Sequence, residues 1–182
     1  MYKRQLDILL PVGISFYTLQ ALSYSIDVYQ KKISVCHNPV AFFAYVSFFP
    51  QLVAGPIERA TNLLPQFYKQ RTFDYYKAID GCQQMLWGFF KKMIIADNCA
   101  VAVNEIWNTY QYQSGFTLLL GALLFTFQIY GDFSGYSDIA IGCSRLFGIN
   151  LMKNFNYPYF SRDIAEFWRR SVSYTHLTLP TI

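Results

Sequence analysis

The sequence predicts an all-α protein, a polytopic transmembrane helical bundle with a re-entrant or broken segment. Three observations carry this expectation. Only 14% of the residues are charged, against 53% hydrophobic and 19% aromatic, whereas a soluble domain carries about 25% charge. A soluble body of this length needs a charged surface; a body dissolved in lipid does not. Charge-free apolar stretches reach the length of a membrane crossing. One of them is interrupted by Pro50, Gly55 and Pro56, which free backbone groups that lipid cannot satisfy.

The elements follow in order. Residues 8–26 lack formal charge and are about long enough to span a ~30 Å hydrocarbon core at ~1.5 Å per residue; Asp27 ends the run and Lys31 and Lys32 follow in a loop. The next stretch, 39–57, is rich in Phe and Val, and its second half, 49–57, reads as broken or re-entrant. Irregular backbone survives at membrane depth only when buried in protein or lining a wet cavity. Loop charge agrees. Lys31 and Lys32 precede the stretch, and Arg59, Lys69, Arg71 and Lys77 follow it. A re-entrant segment leaves both basic loops in the cytoplasm, as the positive-inside bias prefers.

Residues 58–80 mix charge with Leu63, Leu64, Phe67 and Tyr68 and suit an interfacial amphipathic segment. Residues 81–90 are too short to span. Extension to Val103 gives enough length but sets Lys91 and Lys92 mid-helix, where they line a polar interior or snorkel. Residues 107–131 form the longest charge-free run and the clearest expected spanning helix. Residues 150–170 turn polar and aromatic, with Pro158 as a break before a helix over 164–170.

Other signals narrow the function. The net charge of +4 is spread among apolar runs without a basic stripe, so nucleic acid is not an expected partner. Cys36, Cys82, Cys99 and Cys143 form no C-x-x-C pair and read as small buried hydrophobes. His37 has no second ligand nearby and reads as a solvated loop histidine, so no metal site is expected. There is no P-loop, dinucleotide glycine pattern or H-E-x-x-H. Gly135-Tyr136-Ser137 lacks the following x-Gly of a nucleophile elbow. The start resembles a basic signal-peptide region, but the apolar run continues too far, carries Asp7 and has no cleavage pattern.

Both ends read as foreign. Residues 1–5 can be encoded as GTG TAT AAG AGA CAG, with GTG as the start codon. The reverse complement of that string recurs, in a shifted frame, within codons for Ser171-Val172-Ser173-Tyr174-Thr175-His176. The string is similar to a transposase sequencing adapter. The expected division is therefore 1–5 and 171–182 adapter-encoded, with 6–170 native membrane domain.

Two constellations carry chemistry. Asp132 and Asp138 flank Ser134, Gly135 and Tyr136 near the end of the apolar run. Ser134 and Asp138 share a helix face, as do Asp132 and Tyr136, and Gly131 with Gly135 permits close helix approach. Carboxylates at membrane depth face a cavity or a partner, or else both cap helix ends in the interface. The second constellation runs from Asn154 through Tyr157, Pro158, Tyr159 and Ser161 to Glu166, Arg169 and Arg170. Glu166 and Arg170 form an i,i+4 pair, and an aromatic, basic interface belt explains the composition equally well.

Four ordered motifs resemble the membrane-bound O-acyltransferases (MBOAT), in their alginate O-acetyltransferase-like branch. They are Leu10-Pro11-Val12-Gly13-Ile14-Ser15-Phe16, Phe49-Pro50-Gln51-Leu52-Val53-Ala54-Gly55-Pro56-Ile57, Gly131-Asp132-Phe133-Ser134-Gly135-Tyr136-Ser137-Asp138-Ile139-Ala140-Ile141-Gly142, and Asn154-Phe155-Asn156-Tyr157-Pro158-Tyr159 with Glu166-Phe167-Trp168-Arg169-Arg170. The resemblance covers nearly all of 6–170. It implies a multi-pass helical fold around a tunnel in the bacterial inner membrane, with the lipid bilayer as partner. It implies transfer of an acyl group, often acetyl, to a hydroxyl of an exported polysaccharide or other envelope acceptor. An acyl donor (acyl-CoA or an acyl carrier) would serve as substrate, no cofactor would be bound, and partner acetylation proteins would assist.

The family's catalytic histidine belongs to a later helix, and its Trp-His follows Phe-Trp-Arg-Arg directly. Here Ser171 and Val172 hold those positions, so no catalytic residue is carried over and 1–182 alone is expected to be inactive. Pro50, Gln51, Gly55 and Pro56 are expected to shape the cavity, and Asp132, Tyr136 and Asp138 to brace it. Ser134, Gly135, Asn154, Pro158, Glu166 and Arg169 complete the expected lining. The competing readings are a transporter or channel, where broken helices and intramembrane carboxylates also occur, and a non-catalytic membrane subunit.

Overall fold

A computed structural model describes residues 13–52, 55 and 58–171. Every regular element among them is helical. Helix α1, Ile14–Tyr29, starts at Gly13 and carries Asp27 as a buried residue of its last turn rather than as its terminus. Helix α2, Pro39–Val46, is set by Asn38, whose side chain accepts from the Val40 and Ala41 amides, with Pro39 in the first turn. Eight residues rise only about 12 Å. The chain then breaks at Ser47 and re-forms as a 3₁₀ turn, Phe49–Gln51. The sequence-expected interruption of 39–57 therefore comes before Pro50 as well as after it. Pro56 lies outside the described residues, as do residues 1–12 and 172–182, where the expected foreign ends fall apart from Ser171.

Helix α3, Ala60–Tyr68, buries Ala60, Leu63 and Leu64. With Tyr45, Phe48, Ala140, Ile141, Ile149 and Leu151 they form the hydrophobic core. Gln20 ties α1 to this core, its amide donating to the Tyr45 carbonyl at 3.1 Å. Gln66 on α3 clasps the backbone of Asn150 from both sides, at 3.0 and 2.9 Å.

Asp74 caps helix α4, Tyr75–Phe89. Phe90–Ala96 continues it as a π-helix and α5, Asp97–Asn108, completes one unbroken rod. The expected spanning helix over 107–131 is corrected at its start. Trp107 belongs to α5, a turn with a 3₁₀ piece follows at Tyr110–Tyr112, and α6 runs Gly115–Leu146. The polar residues 109–114 carry no charge, so a charge criterion passes over them. Ser114 caps α6 through the Thr117 amide at 3.2 Å, which fixes the true beginning. The far end is a Schellman closure: the Gly148 amide bonds the Arg145 carbonyl and the Ile149 amide the Ser144 carbonyl, each at 3.0 Å. That closure needs Gly148 at φ 69°.

Among the described residues, α6 alone is long and apolar enough to cross a membrane, with mean hydropathy 1.4 over its best window. Phe116, Leu119, Leu123 and Phe127 along it remain exposed. Helix α7, Ile164–Ser171, is the last described element. The cysteines are not buried hydrophobes: Cys82 is exposed, Cys36, Cys99 and Cys143 are half-buried, and all four are free thiols.

Candidate functional site

The site begins with the antiparallel packing of the α4–π–α5 rod on α6. Small residues face each other along the seam. A Cβ on Gly81 would stand 2.7 Å from the Gly142 carbonyl oxygen, and one on Gly131 would stand 3.0 Å from the Ala96 Cβ. The sequence-expected pair of Gly131 and Gly135 is thus half of a longer seam whose other half lies on the rod. Close approach brings the backbones near enough for side chains beside the seam to reach across.

The reaching side chains are the two lysines. Lys91 Nζ donates to Asp138 Oδ2 at 2.6 Å, and both side chains are only 14% exposed. Gln84 Nε2 donates to the other Asp138 oxygen at 3.0 Å. Lys92 Nζ forks between Asp132 Oδ1 and Asp97 Oδ1, each at 2.6 Å, in a more open setting. Neither aspartate caps a helix end, since both sit inside α6. Of the two sequence readings, partners across the interface is the one that holds. Both lysines lie in the π stretch Phe90–Ala96.

Residues 149–160 close the other side. The Asn154 amide meets Ser137 Oγ at 3.4 Å. The Tyr159 hydroxyl donates to the Thr126 carbonyl at 2.9 Å, and the Tyr130 ring packs against Phe155 and Tyr159 at 6.0 and 5.3 Å. Between this segment, the rod and α6 lies a cavity of about 810 Å³, within the usual range for ligand pockets. Its polar side holds Gln84, Lys91, Ser134, Ser137, Asp138, Lys153 and Asn154. Aromatic side chains, among them Trp87, Phe127, Tyr130 and Tyr157, supply much of the rest. Ser134 Oγ is buried without a hydrogen-bond partner among the described residues, unlike Ser144, whose hydroxyl bonds back to the Ala140 carbonyl at 2.7 Å.

The structure sorts the expected site residues by position. Ser134, Asp138, Asn154 and Pro158 line this cavity. Asp132 stands at the Lys92 pair, while Gly135 sits in the seam against the rod. Tyr136 packs on the hydrophobic core. Pro50, Gln51 and Gly55 lie elsewhere, in and after the 3₁₀ turn; Gln51 is buried there with both amide atoms unbonded among the described residues. Glu166 belongs to α7, where it accepts from the Arg162 amide at 2.8 Å and pairs with Arg170 at 2.5 Å. Those bonds, the backbone one first, hold its carboxyl below the usual range. Arg169 is exposed on the same helix.

Sequence reasoning did not join Lys91 and Lys92 to the aspartates, nor did it include Gln84, Trp87 and Tyr130. The available signal was charge parity. Two cations on one apolar rod and two carboxylates on another ask to be paired, because lone charges at membrane depth are costly.

No family model matches the chain. Curated relatives do. It is 45% identical over 174 residues to a protein named probable alginate O-acetylase AlgI from Pseudomonas aeruginosa, covering 96% of this chain and 32% of that one. It is 36% identical to a peptidoglycan O-acetyltransferase from Helicobacter pylori, over 96% of this chain and 37% of the relative. It is 30% identical to a teichoic acid D-alanyltransferase from Bacillus subtilis, over 87% and 41%.

The chain belongs to the membrane-bound O-acyltransferase family. It spans about a third of the length of the curated alginate O-acetylases it matches. In this O-acyltransferase-family chain, the aspartates of the third sequence motif become the anchors of the rod on α6, and the fourth motif becomes the wall that closes the cavity.

Proposed function

We propose that the protein carrying this chain is an acyltransferase that moves an acyl group, acetyl in the first instance, to a hydroxyl of an exported polysaccharide or another envelope acceptor. In that reaction the ester C–O bond forms, the bond between acyl carbon and donor breaks, and the alcohol proton passes by way of a base to the departing donor group. The observation that carries the reading is the 45% identity to a protein named for alginate O-acetylation, over nearly the whole chain. The peptidoglycan and teichoic acid relatives widen the acceptor class without changing the reaction. No observation of comparable weight favours a transporter or a non-catalytic subunit.

The finer reading is a multi-pass bundle in the bacterial inner membrane. The exposed apolar flank of α6 would face lipid or further helices, and 39–57 would be re-entrant. The acyl donor, acyl-CoA or an acyl carrier, is a substrate rather than a resident cofactor, and partner acetylation proteins deliver or receive the group. Ser134, Asp138, Asn154 and Pro158 line the cavity, while Asp132, Gly135 and Tyr136 brace the helices behind it. Pro50, Gln51, Gly55 and Pro56 shape the re-entrant turn, and Glu166 and Arg169 belong to the helix beyond the aromatic wall.

The test is transfer of labelled acetyl to envelope polysaccharide by membranes containing the complete protein. Donor-dependent labelling that is lost on deletion of the gene supports the reading. Unchanged polysaccharide acetylation in the deletion strain overturns it.

A further inference from the structure

We propose that Lys91 is a substrate-contacting group, its ammonium donating a hydrogen bond to the carbonyl oxygen of the acyl thioester in the cavity, with Asp138 as the positioning residue that aims it. The inference rests on the acyl-transfer reading above.

The geometry begins with the company the ammonium keeps. Lys91 Nζ is 2.6 Å from Asp138 Oδ2, 5.6 Å from the Trp87 ring centroid and 5.9 Å from the Tyr130 ring centroid. Asp138, Trp87, Tyr130 and Lys91 itself all line the cavity. The ammonium therefore sits at the cavity wall, not behind it. Asp138 is in turn held by Gln84, so the carboxylate that orients the lysine is itself fixed at both oxygens.

The donor inventory then selects the ligand. An ammonium has three N–H groups. One goes to Asp138; the two rings attract the charge but take no conventional hydrogen bond, and no other acceptor among the described residues receives the remaining N–H groups. A half-buried ammonium at a cavity wall takes a hydrogen-bond acceptor from whatever occupies the cavity. Asp138 already balances the charge of Lys91, so this ammonium does not ask for an anion; the cavity's other lysine, Lys153, is a separate cation. The Lys91 ammonium asks for a neutral acceptor oxygen attached to a body that tolerates aromatic walls. A thioester carbonyl meets both conditions. As the acceptor alcohol adds, the carbonyl electron pair moves onto that oxygen, and it returns when the sulfur departs. A fixed donor there gains strength as the oxygen becomes negative. Lys92 is the internal contrast. It is shared between two carboxylates and is 44% exposed, so the same logic gives it a structural role.

The two thioester sources, free acetyl-CoA and an acetylated carrier protein, share the carbonyl and differ in what surrounds it. Isothermal titration calorimetry on the purified complete protein compares acetyl-CoA with S-ethyl-CoA, which lacks only the carbonyl oxygen. A parallel arm uses a carrier protein bearing the same two groups, and the arm that shows binding identifies the source. Wild type is expected to favour the thioester by about tenfold or more, the size of a hydrogen bond to a charged group. Lys91→Met combined with Asp138→Leu removes both charges, so no lone carboxylate is left to unfold the protein, and it should abolish the preference. Lys91→Arg should retain part of it. A preference that persists in the double variant, or no preference in wild type in either arm, overturns the proposal. Wild-type preference without any acetyl transfer to polysaccharide would sink the proposed function while leaving the contact itself standing.

Discussion

Gly88 and Gly135 touch backbone to backbone: a Cβ built on Gly88 would stand 2.6 Å from the Gly135 carbonyl oxygen, and one on Gly135 2.9 Å from the Gly88 carbonyl oxygen. Gly88 lies three residues before Lys91 and Gly135 three before Asp138, so the closeness of the two glycines governs whether the ion pair can form.

Gly88→Ala or Gly135→Ala should therefore force the rod and α6 apart. Overpacking of this kind costs roughly 1–3 kcal/mol, read as a lower thermal midpoint in detergent and a smaller folded yield. Gly115→Ala meets nothing within 4 Å and should leave the midpoint where it was. Equal behaviour of the three variants would show that the seam does not set the packing.

The two aspartates should not be equivalent. Asp138→Ala strands a lysine that is only 14% exposed, and breaking a buried pair costs on the order of 3–5 kcal/mol. Asp132→Ala leaves Lys92 with Asp97 in an open setting, where a single pair is worth about 0–1 kcal/mol. Chemical denaturation of both variants checks the ranking, and a larger loss for Asp132→Ala would reverse it.

The all-helical class, the break within 39–57 and the involvement of the 131–142 motif are legible in the sequence, because low charge, Pro and Gly act locally. The cross-helix pairing is not. It depends on a glycine seam that shows only when two distant segments are laid antiparallel. The start of α6 is hidden for a different reason: Thr109, Gln111, Gln113 and Ser114 are polar but uncharged, and it takes a cap to end the ambiguity. The cavity itself needs Lys91, Trp87 and Tyr130 from two helices and Phe155 from a loop, a grouping that spacing cannot supply.

A pH dependence follows from Glu58. It is 1% exposed and accepts from Asn62 Nδ2 at 2.7 Å and from the Met152 amide. Burial outweighs those bonds and pushes its carboxyl above the usual value. A raised carboxyl holds its proton better in the fold than in the unfolded chain. Its contribution to stability is thus complete below about pH 4.3, the ordinary glutamate value, and is lost as pH rises through the folded-state value. Thermal midpoints measured upward from pH 4 should fall over that window. Glu58→Gln, which cannot ionise, should lack the fall; an identical profile would assign the dependence to other groups.

Topology can be read with thiol reagents. If 39–57 re-enters rather than crosses, Cys36 and a cysteine replacing Thr61 should be labelled from the same side of the membrane in the complete protein. The short α2 makes this the expected outcome, since about 12 Å of helix cannot bridge a ~30 Å core. Labelling from opposite faces would require a full crossing.

The π-helical stretch Phe90–Ala96 also says how such a chain can drift over generations. A π turn holds one residue more than the α turn it replaces, so deleting any one of the seven would swing the rod's two arms by about 100° relative to each other. Gly81 and Gly88 on one arm and Ile106 on the other could not then all keep their faces toward α6. Descendants can exchange the letters at Met93 and Ile94, which are exposed, far more freely than they can change how many letters stand there.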